Sequence, residues 1–407
     1  MLKLHLIGDI IEIMKIRNTY IILIAVYLSF LALGLPDGAF GVAWPEIRTN
    51  MNLPLEWAGI MIMLNSAFYV TVSSQLGRLA KKIKLWNISL IGLISMSIGF
   101  TIIAISPNFI ILLFAVAFTG SGMALVDSSL NSYMAKSFGA REMNWLHCFW
   151  GIGAVLSPIL ITQMILLGNW RLGYFAIAAI QGIIAMLIMA SRAKGVWETE
   201  ERRIRFSKNK EENAELTGAY LTQKRHKFMQ ILVFYLYCGA EYATGFWITG
   251  VLMYSRGLDI GQAGMFPAVY YGFIMLGRMV FGFLANKLSS PAMLRIGFTI
   301  SLAGIGILLF QSSLAGMALI GFGFAPIFAC MMHNNSDRFH PKILTKLIGF
   351  EMAAVGAGVA TLSALTGQIL ARISLEALFP IIIILIATAF LINEIIERNV
   401  KHVKNSD

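Results

Sequence analysis

Charge is scarce in this chain: only 13% of its 407 residues are Asp, Glu, Lys or Arg, against 57% hydrophobic residues and a mean hydropathy of +0.74. A set of ordinary soluble domains needs more solvated surface than that, so lipid is the solvent for most of the chain. Cysteine is scarcer still. Cys148, Cys238 and Cys330 all fall inside long apolar runs, which excludes a disulfide framework and any paired metal-ligand spacing. Nucleophile-elbow serines, phosphate-binding glycine loops and metal-ligand clusters are missing too, so no enzyme activity, cofactor or metal is expected. The first 18 residues carry Asp9 and Glu12 and lack a small-residue cleavage site, so no removable signal peptide is read there.

Long apolar runs are abundant. They recur at about the length that crosses a hydrocarbon core at ~1.5 Å rise per residue. The spans expected to be helical are 19–45, 55–79, 86–105, 109–137, 144–167 and 171–191, then 228–255, 263–286, 291–311, 314–337, 347–372 and 375–397. Unsatisfied backbone groups are costly in lipid, and the short polar connectors between these runs fit that constraint. An all-α membrane protein of twelve transmembrane helices follows. Its expected organisation is an N-terminal six-helix bundle (1–191), a linker (192–227) and a C-terminal bundle with a short tail (228–407).

The net charge of +11 is not spread evenly. With the N-terminus assigned to the inner side, 28 Lys and Arg fall on that side and four, Arg48, Arg171, Arg256 and Arg372, on the other. Such asymmetry is the positive-inside pattern. It predicts a multi-pass protein of a cell (inner) membrane with both termini cytoplasmic, and it argues against nucleic acid as a partner. The ten basic residues of 192–227 either meet anionic headgroups or simply remain solvated.

The sequence also repeats itself at an offset of 201 to 205 residues. Asp37-x-Ala39-x-Gly41 returns as Glu241-x-Ala243-x-Gly245, and GRLAKKIK from Gly77 returns as GFLANKLS from Gly282. Gly120-x-Gly122 and Gly151-x-Gly153 return as Gly321-x-Gly323 and Gly356-x-Gly358. Duplicated six-helix halves joined by a polar linker resemble the major facilitator superfamily, which implies two pseudo-symmetric bundles rocking about a central site. That superfamily's loop after helix 2 commonly reads G-x-x-x-D-R-x-G-R-R. Gly77, Arg78, Lys82 and Lys84 fit its character, while Lys81 and, in the second copy, Asn286 replace the acid.

Ionisable residues inside the hydrocarbon region cost a few kcal/mol and are by default functional. Asp37, Asp127 and Glu241 are the leading candidates for proton coupling, because burial disfavours a charged carboxyl group and alternating exposure restores it. Asn131 lies one helical turn after Asp127, on the same face. Pro36 cannot hydrogen-bond the Ala32 carbonyl and so frees that oxygen beside Asp37. Glu351 and Arg278 are assigned a structural or gating ion pair, and Gly77, Arg78 and Gly282 structural or gating roles. Trp247, Tyr270, His333 and Asn334 are further solute-contact candidates.

A closer resemblance is to the L-fucose:proton symporter family. It rests on Gly34-x-x-Asp37, on Asp127-x-x-x-Asn131 after Gly120 and Gly122, and on Asn144-Trp145-Leu146-His147-Cys148-Phe149-Trp150-Gly151-Ile152-Gly153. The resemblance implies protonation at Asp37 and Asp127 and solute contact at His147 and Trp150. The expected protein is thus a secondary active transporter, a monomer in the bilayer, coupling a sugar or similar polar metabolite to protons. Proton-driven efflux by antiport and a non-transporting membrane sensor are the alternatives.

Overall fold

The computed structural model describes residues 2–138, 140–193, 221, 223–285 and 287–406. Among these residues, twelve helices are long and apolar enough to cross a membrane. They are α1 (Leu2–Met51), α2 (Trp57–Ser74), α3 (Leu85–Ile105), α4 (Phe109–Ser137), α5 (Ala140–Leu166) and α6 (Trp170–Ala193). The second set is α7 (Lys224–Arg256), α8 (Met265–Leu284), α9 (Ser290–Phe310), α10 (Leu314–Phe324, resuming as Ile327–Arg338), α11 (Pro341–Arg372) and α12 (Leu378–Ser406). Most of the expected linker, 194–220 and 222, lies outside the described residues, as does Asn286.

Several boundaries differ from expectation for identifiable reasons. The first span was expected to end at 45, before the charged stretch, yet α1 runs through Pro36 and Pro45 to Met51. It stops where Asn52 takes a positive φ of 51°. A proline inside a membrane helix is tolerated when other groups satisfy the freed backbone. Gln181 of α6 does this by donating its side-chain amide to the Ala32 oxygen at 3.2 Å, so the carbonyl freed by Pro36 is engaged. The span 55–79 divides at Gln75 into α2 and a single turn, Leu76–Leu79.

Glycine placement explains the repeat. A Cβ on Gly34 would strike the Trp150 carbonyl and one on Gly153 the Leu31 carbonyl, so α1 and α5 touch main chain to main chain. One repeat later, Gly239 and Gly358 bring α7 against α11 in the same way. Gly122 meets the Gly92 oxygen between α4 and α3, and Gly323 meets the Gly297 oxygen between α10 and α9, each at 2.6 Å from an added Cβ. Close approach of this kind drives association where lipid is as apolar as the helices themselves. The repeated glycines are therefore the packing code of two like bundles.

The bundles meet through α1 with α7, α2 with α11, and α5 with α8. At the end remote from the chain termini the seam is closed: Gly59 abuts Ala364, Phe40 packs on Phe246 at 5.4 Å, and the Tyr254 hydroxyl donates to the Pro45 oxygen at 3.2 Å. The Arg48 guanidinium lies 5.2 Å above the Tyr254 ring. Toward the terminus end, the Gly356–Val70 and Gly151–Met275 contacts are followed by Gly77, Gly282 and Gly349, where an added Cβ meets nothing within 4 Å.

Candidate functional site

The three intramembrane carboxylates point inward, and α1, α2, α4, α5, α7 and α8 converge on them. Asp37 of α1 is half-buried, and its Oδ2 accepts the indole N–H of Trp150 from α5 at 2.8 Å. Its backbone oxygen accepts the Tyr271 hydroxyl of α8 at 3.2 Å, which ties the two halves together at this residue. The charges of Asp127, Glu241 and Arg278 all act on it.

Asp127 of α4 is more fully engaged. The Tyr69 hydroxyl of α2 donates to its Oδ2, and the Asn131 amide donates to its Oδ1 at 2.7 Å. The i, i+4 spacing of Asp127 and Asn131 produces the contact expected of one helix face. Glu241 of α7 occupies the place in the second half that Asp37 has in the first. Its backbone oxygen accepts the Tyr270 hydroxyl at 2.9 Å, and Arg278 acts on its carboxylate.

Trp150 contacts both an acid and a base. While its N–H serves Asp37, its face carries the Arg278 guanidinium at 4.9 Å and its edge meets Tyr271 at 6.3 Å and 86°. Among the described residues no group hydrogen-bonds or ion-pairs the Arg278 guanidinium. A cation–π contact contributes ~0.5–2 kcal/mol, and Arg278 lies about two turns before the C-terminal end of α8. His147, one turn before Trp150, is half-buried, stands edge-on to Phe30 at 5.8 Å, and also feels Arg278.

Other sequence candidates lie elsewhere or point elsewhere. Trp247 is 2% exposed, donates to the Ser363 oxygen at 3.0 Å and is packed against Gly367, so it is a wedge between α7 and α11 and not a solute contact in this conformation. Tyr270 is fully buried, its hydroxyl spent on Glu241. His333 and Asn334 ride on the second piece of α10, in a terminus-end pocket of about 310 Å³ shared with Ser289, Arg338 and Glu397. They follow the α10 break at Ala325–Pro326, and Asp37 is not among the residues lining that pocket.

Arg278 and Glu351 do not pair with each other. Glu351 is fully buried and accepts the Asn335 amide at 2.6 Å. Asn335 in turn accepts from Gln230 at 2.9 Å, and Gln230 accepts from Arg338 at 2.7 Å. Arg338, bridged to Glu397 and to Asn393 at 2.9 Å, is the buried cation of that network, and the sequence reading passed over it as one more basic residue. Gly77 and Arg78 sit on the terminus-end turn after α2, where Arg78 donates to Gln75 at 3.0 Å; Gly282 faces open space on α8.

Tyr69 was also missed. Asn65 and Tyr69 form an i, i+4 polar pair on α2, and Asn65 donates to Thr119 of α4 at 2.9 Å. That polar stripe was the available signal.

Two helical bundles enclosing a half-buried charged centre, sealed at one end, define a membrane transporter. The Major Facilitator Superfamily profile matches residues 26–342 and 248–404, and the chain belongs to that superfamily. It is a multi-pass membrane transporter and not an enzyme. Its sequence is 20% identical over 368 residues to the "Glucose/mannose transporter GlcP" of Bacillus subtilis, covering 86% of this chain and 88% of that one. It is 22% identical over 283 residues to "Bypass of stop codon protein 6" of Saccharomyces cerevisiae, a match spanning 65% of this chain and 57% of the yeast protein. Among solved structures, a bacterial homolog to the human lysosomal transporter Spinster, in an inward-facing and occupied conformation, superposes with a TM-score of 0.69 at 13% identity, covering 92% of this chain and 96% of that one. The peptide transporter POT in complex with sulfate gives 0.70 at 12% identity, covering 94% and 95%.

Proposed function

We propose that the chain couples inward movement of a sugar or similarly small polar metabolite to protons, by alternating access, in the manner of the L-fucose:proton symporters its motifs resemble. The observation that carries this reading is Asp37. Its carboxylate is half-buried among six helices, takes one hydrogen bond among the described residues, from Trp150, and feels Asp127, Glu241 and Arg278. A carboxyl group so placed is tolerable when it exchanges a proton with water that reaches it from one side at a time. The similarity to a glucose/mannose transporter supports a sugar-like solute. The lysine and arginine asymmetry supports cytoplasmic termini, in which case the sealed end faces outward.

The energetics suffice. Each proton driven inward by ~100 mV supplies roughly 2.3 kcal/mol, which sustains about a fifty-fold solute gradient at 1.36 kcal/mol per tenfold.

The test uses purified protein in liposomes under an imposed proton gradient, with the labelled sugar or sugar acid that a thermal-shift screen selects. Uphill accumulation is expected in the unaltered protein. Asp127→Asn should abolish accumulation while leaving solute exchange largely intact. Full proton-driven accumulation by that variant would reject Asp127 as an essential coupling site.

A further inference from the structure

Arg278 is the residue of the centre that the coupling scheme leaves unexplained. It lies on α8, half-buried, with its guanidinium over the Trp150 face and all its N–H donors uncommitted among the described residues. Two carboxylates, those of Asp37 and Glu241, lie close enough for their charges to interact with it. Among the described residues neither forms an ion pair with it, and Trp150 gives its N–H to Asp37 and its face to Arg278. The Arg278 guanidinium, 4.9 Å above the Trp150 ring centroid, carries a planar fork of N–H donors whose geometry matches a carboxylate.

We infer that the solute carries a carboxylate, seated bidentately on the Arg278 fork, and that it belongs to the class of small polyhydroxy monoacids such as the uronic acids. This deepens the transport reading above and rests on it. The hydroxyls would meet the Asp37, Asp127–Asn131 and His147 side of the site, while the acid meets Arg278. Charge count selects a monoanion. One guanidinium neutralises one negative charge, and a phosphate ester of higher charge would add repulsion from the carboxylates.

The same count explains why protons are required. An acid anion and the ionised carboxylates of Asp37 and Glu241 compete for the same guanidinium, so the solute binds when those carboxyl groups are protonated and leaves when they ionise. Coupling is then a consequence of competition for Arg278.

The inference is tested on purified full-length protein with matched probes: D-glucose against D-glucuronate, D-galactose against D-galacturonate, and D-glucose 6-phosphate, reading thermal stabilisation and its concentration dependence. The expected result is stabilisation by a uronate and not by its neutral partner or by the phosphate. Arg278→Gln should weaken that response roughly ten- to a hundredfold, the range for losing charge-assisted hydrogen bonds. Arg278→Lys, which keeps the charge and loses the fork, should fall between, and it serves as the folded comparison should the Gln variant be unstable. Stabilisation by neutral sugars alone overturns the acidic solute and leaves sugar symport standing. A phosphate response overturns the monoanion, and a uronate response undiminished in both variants overturns the role of Arg278. Silence toward every probe overturns the acidic solute together with the sugar reading, whereas loss of proton coupling alone shows separately in the liposome assay.

Discussion

At the scale of single residues, the centre is organised by one indole. Trp150 donates to Asp37 and carries Arg278 on its face, so it fixes the positions of an acid and a base at once. Trp150→Phe keeps an aromatic face and removes the donor. Losing a hydrogen bond to a charged group costs about 1.5–3 kcal/mol, so transport in liposomes should fall at least about tenfold while the detergent-solubilised protein still elutes as a single folded species. Asp37, Asp127 and Asn131 are legible in the sequence because a carboxylate or a paired polar residue stands out in an apolar helix, whereas His147 and Trp150 enter only through the resemblance to the fucose symporters. Neither route reaches Tyr69 or the open guanidinium of Arg278. A tyrosine reads as packing until its partner is seen, and an arginine two turns from a helix end reads as half of a structural or gating ion pair. Trp247 and Tyr270 fail in the opposite direction: aromatic identity suggested solute contact, and tertiary packing enclosed both.

At the scale of elements, the twelve spans were legible because hydrocarbon thickness sets a length that composition reveals. Their ends were less so. Pro45 marks no boundary, since α1 continues to Met51. Pro326 does mark one, since α10 breaks there, and His333 and Asn334 follow the break. A helix that is apolar all round gives no amphipathic signal of which face meets which neighbour, yet the glycines do. Replacing Gly153 or its repeat mate Gly358 with Val drives a side chain into a neighbouring carbonyl, and overpacking of this kind costs about 1–3 kcal/mol. Both variants should melt clearly below the unaltered protein in a fluorescence-detected size-exclusion assay. Gly77→Ala and Gly282→Ala, whose new methyl groups meet nothing, should stay within about 0.5 kcal/mol.

At the scale of the whole molecule, the described seam is sealed at one end by Arg48, Tyr254, Pro45, Phe40 and Phe246. Cys148 is a native probe of that asymmetry. It is half-exposed on α5 two residues before Trp150, while Cys238 and Cys330 are buried. A membrane-impermeant maleimide should label Cys148 faster when presented from the terminus side of oriented vesicles than from the sealed side. Tyr254→Ala, which removes both the hydroxyl bond to Pro45 and the ring beneath Arg48, should raise labelling from the sealed side several-fold. Equal labelling from both sides of the unaltered protein would show the seal to be leaky. Within each bundle, neighbouring helices touch backbone to backbone, whereas toward the terminus end α2 with α11 and α5 with α8 meet through side chains such as Val70 and Met275. Between the bundles, a main-chain approach occurs at Gly41, where an added Cβ would lie 2.5 Å from the Phe246 oxygen. Asp37 sits a single turn before Gly41 on α1. A group beside such a close contact shifts least when two bodies rock, so the Asp37 carboxylate is expected to hold its place while the looser side-chain contacts toward the terminus end open and close.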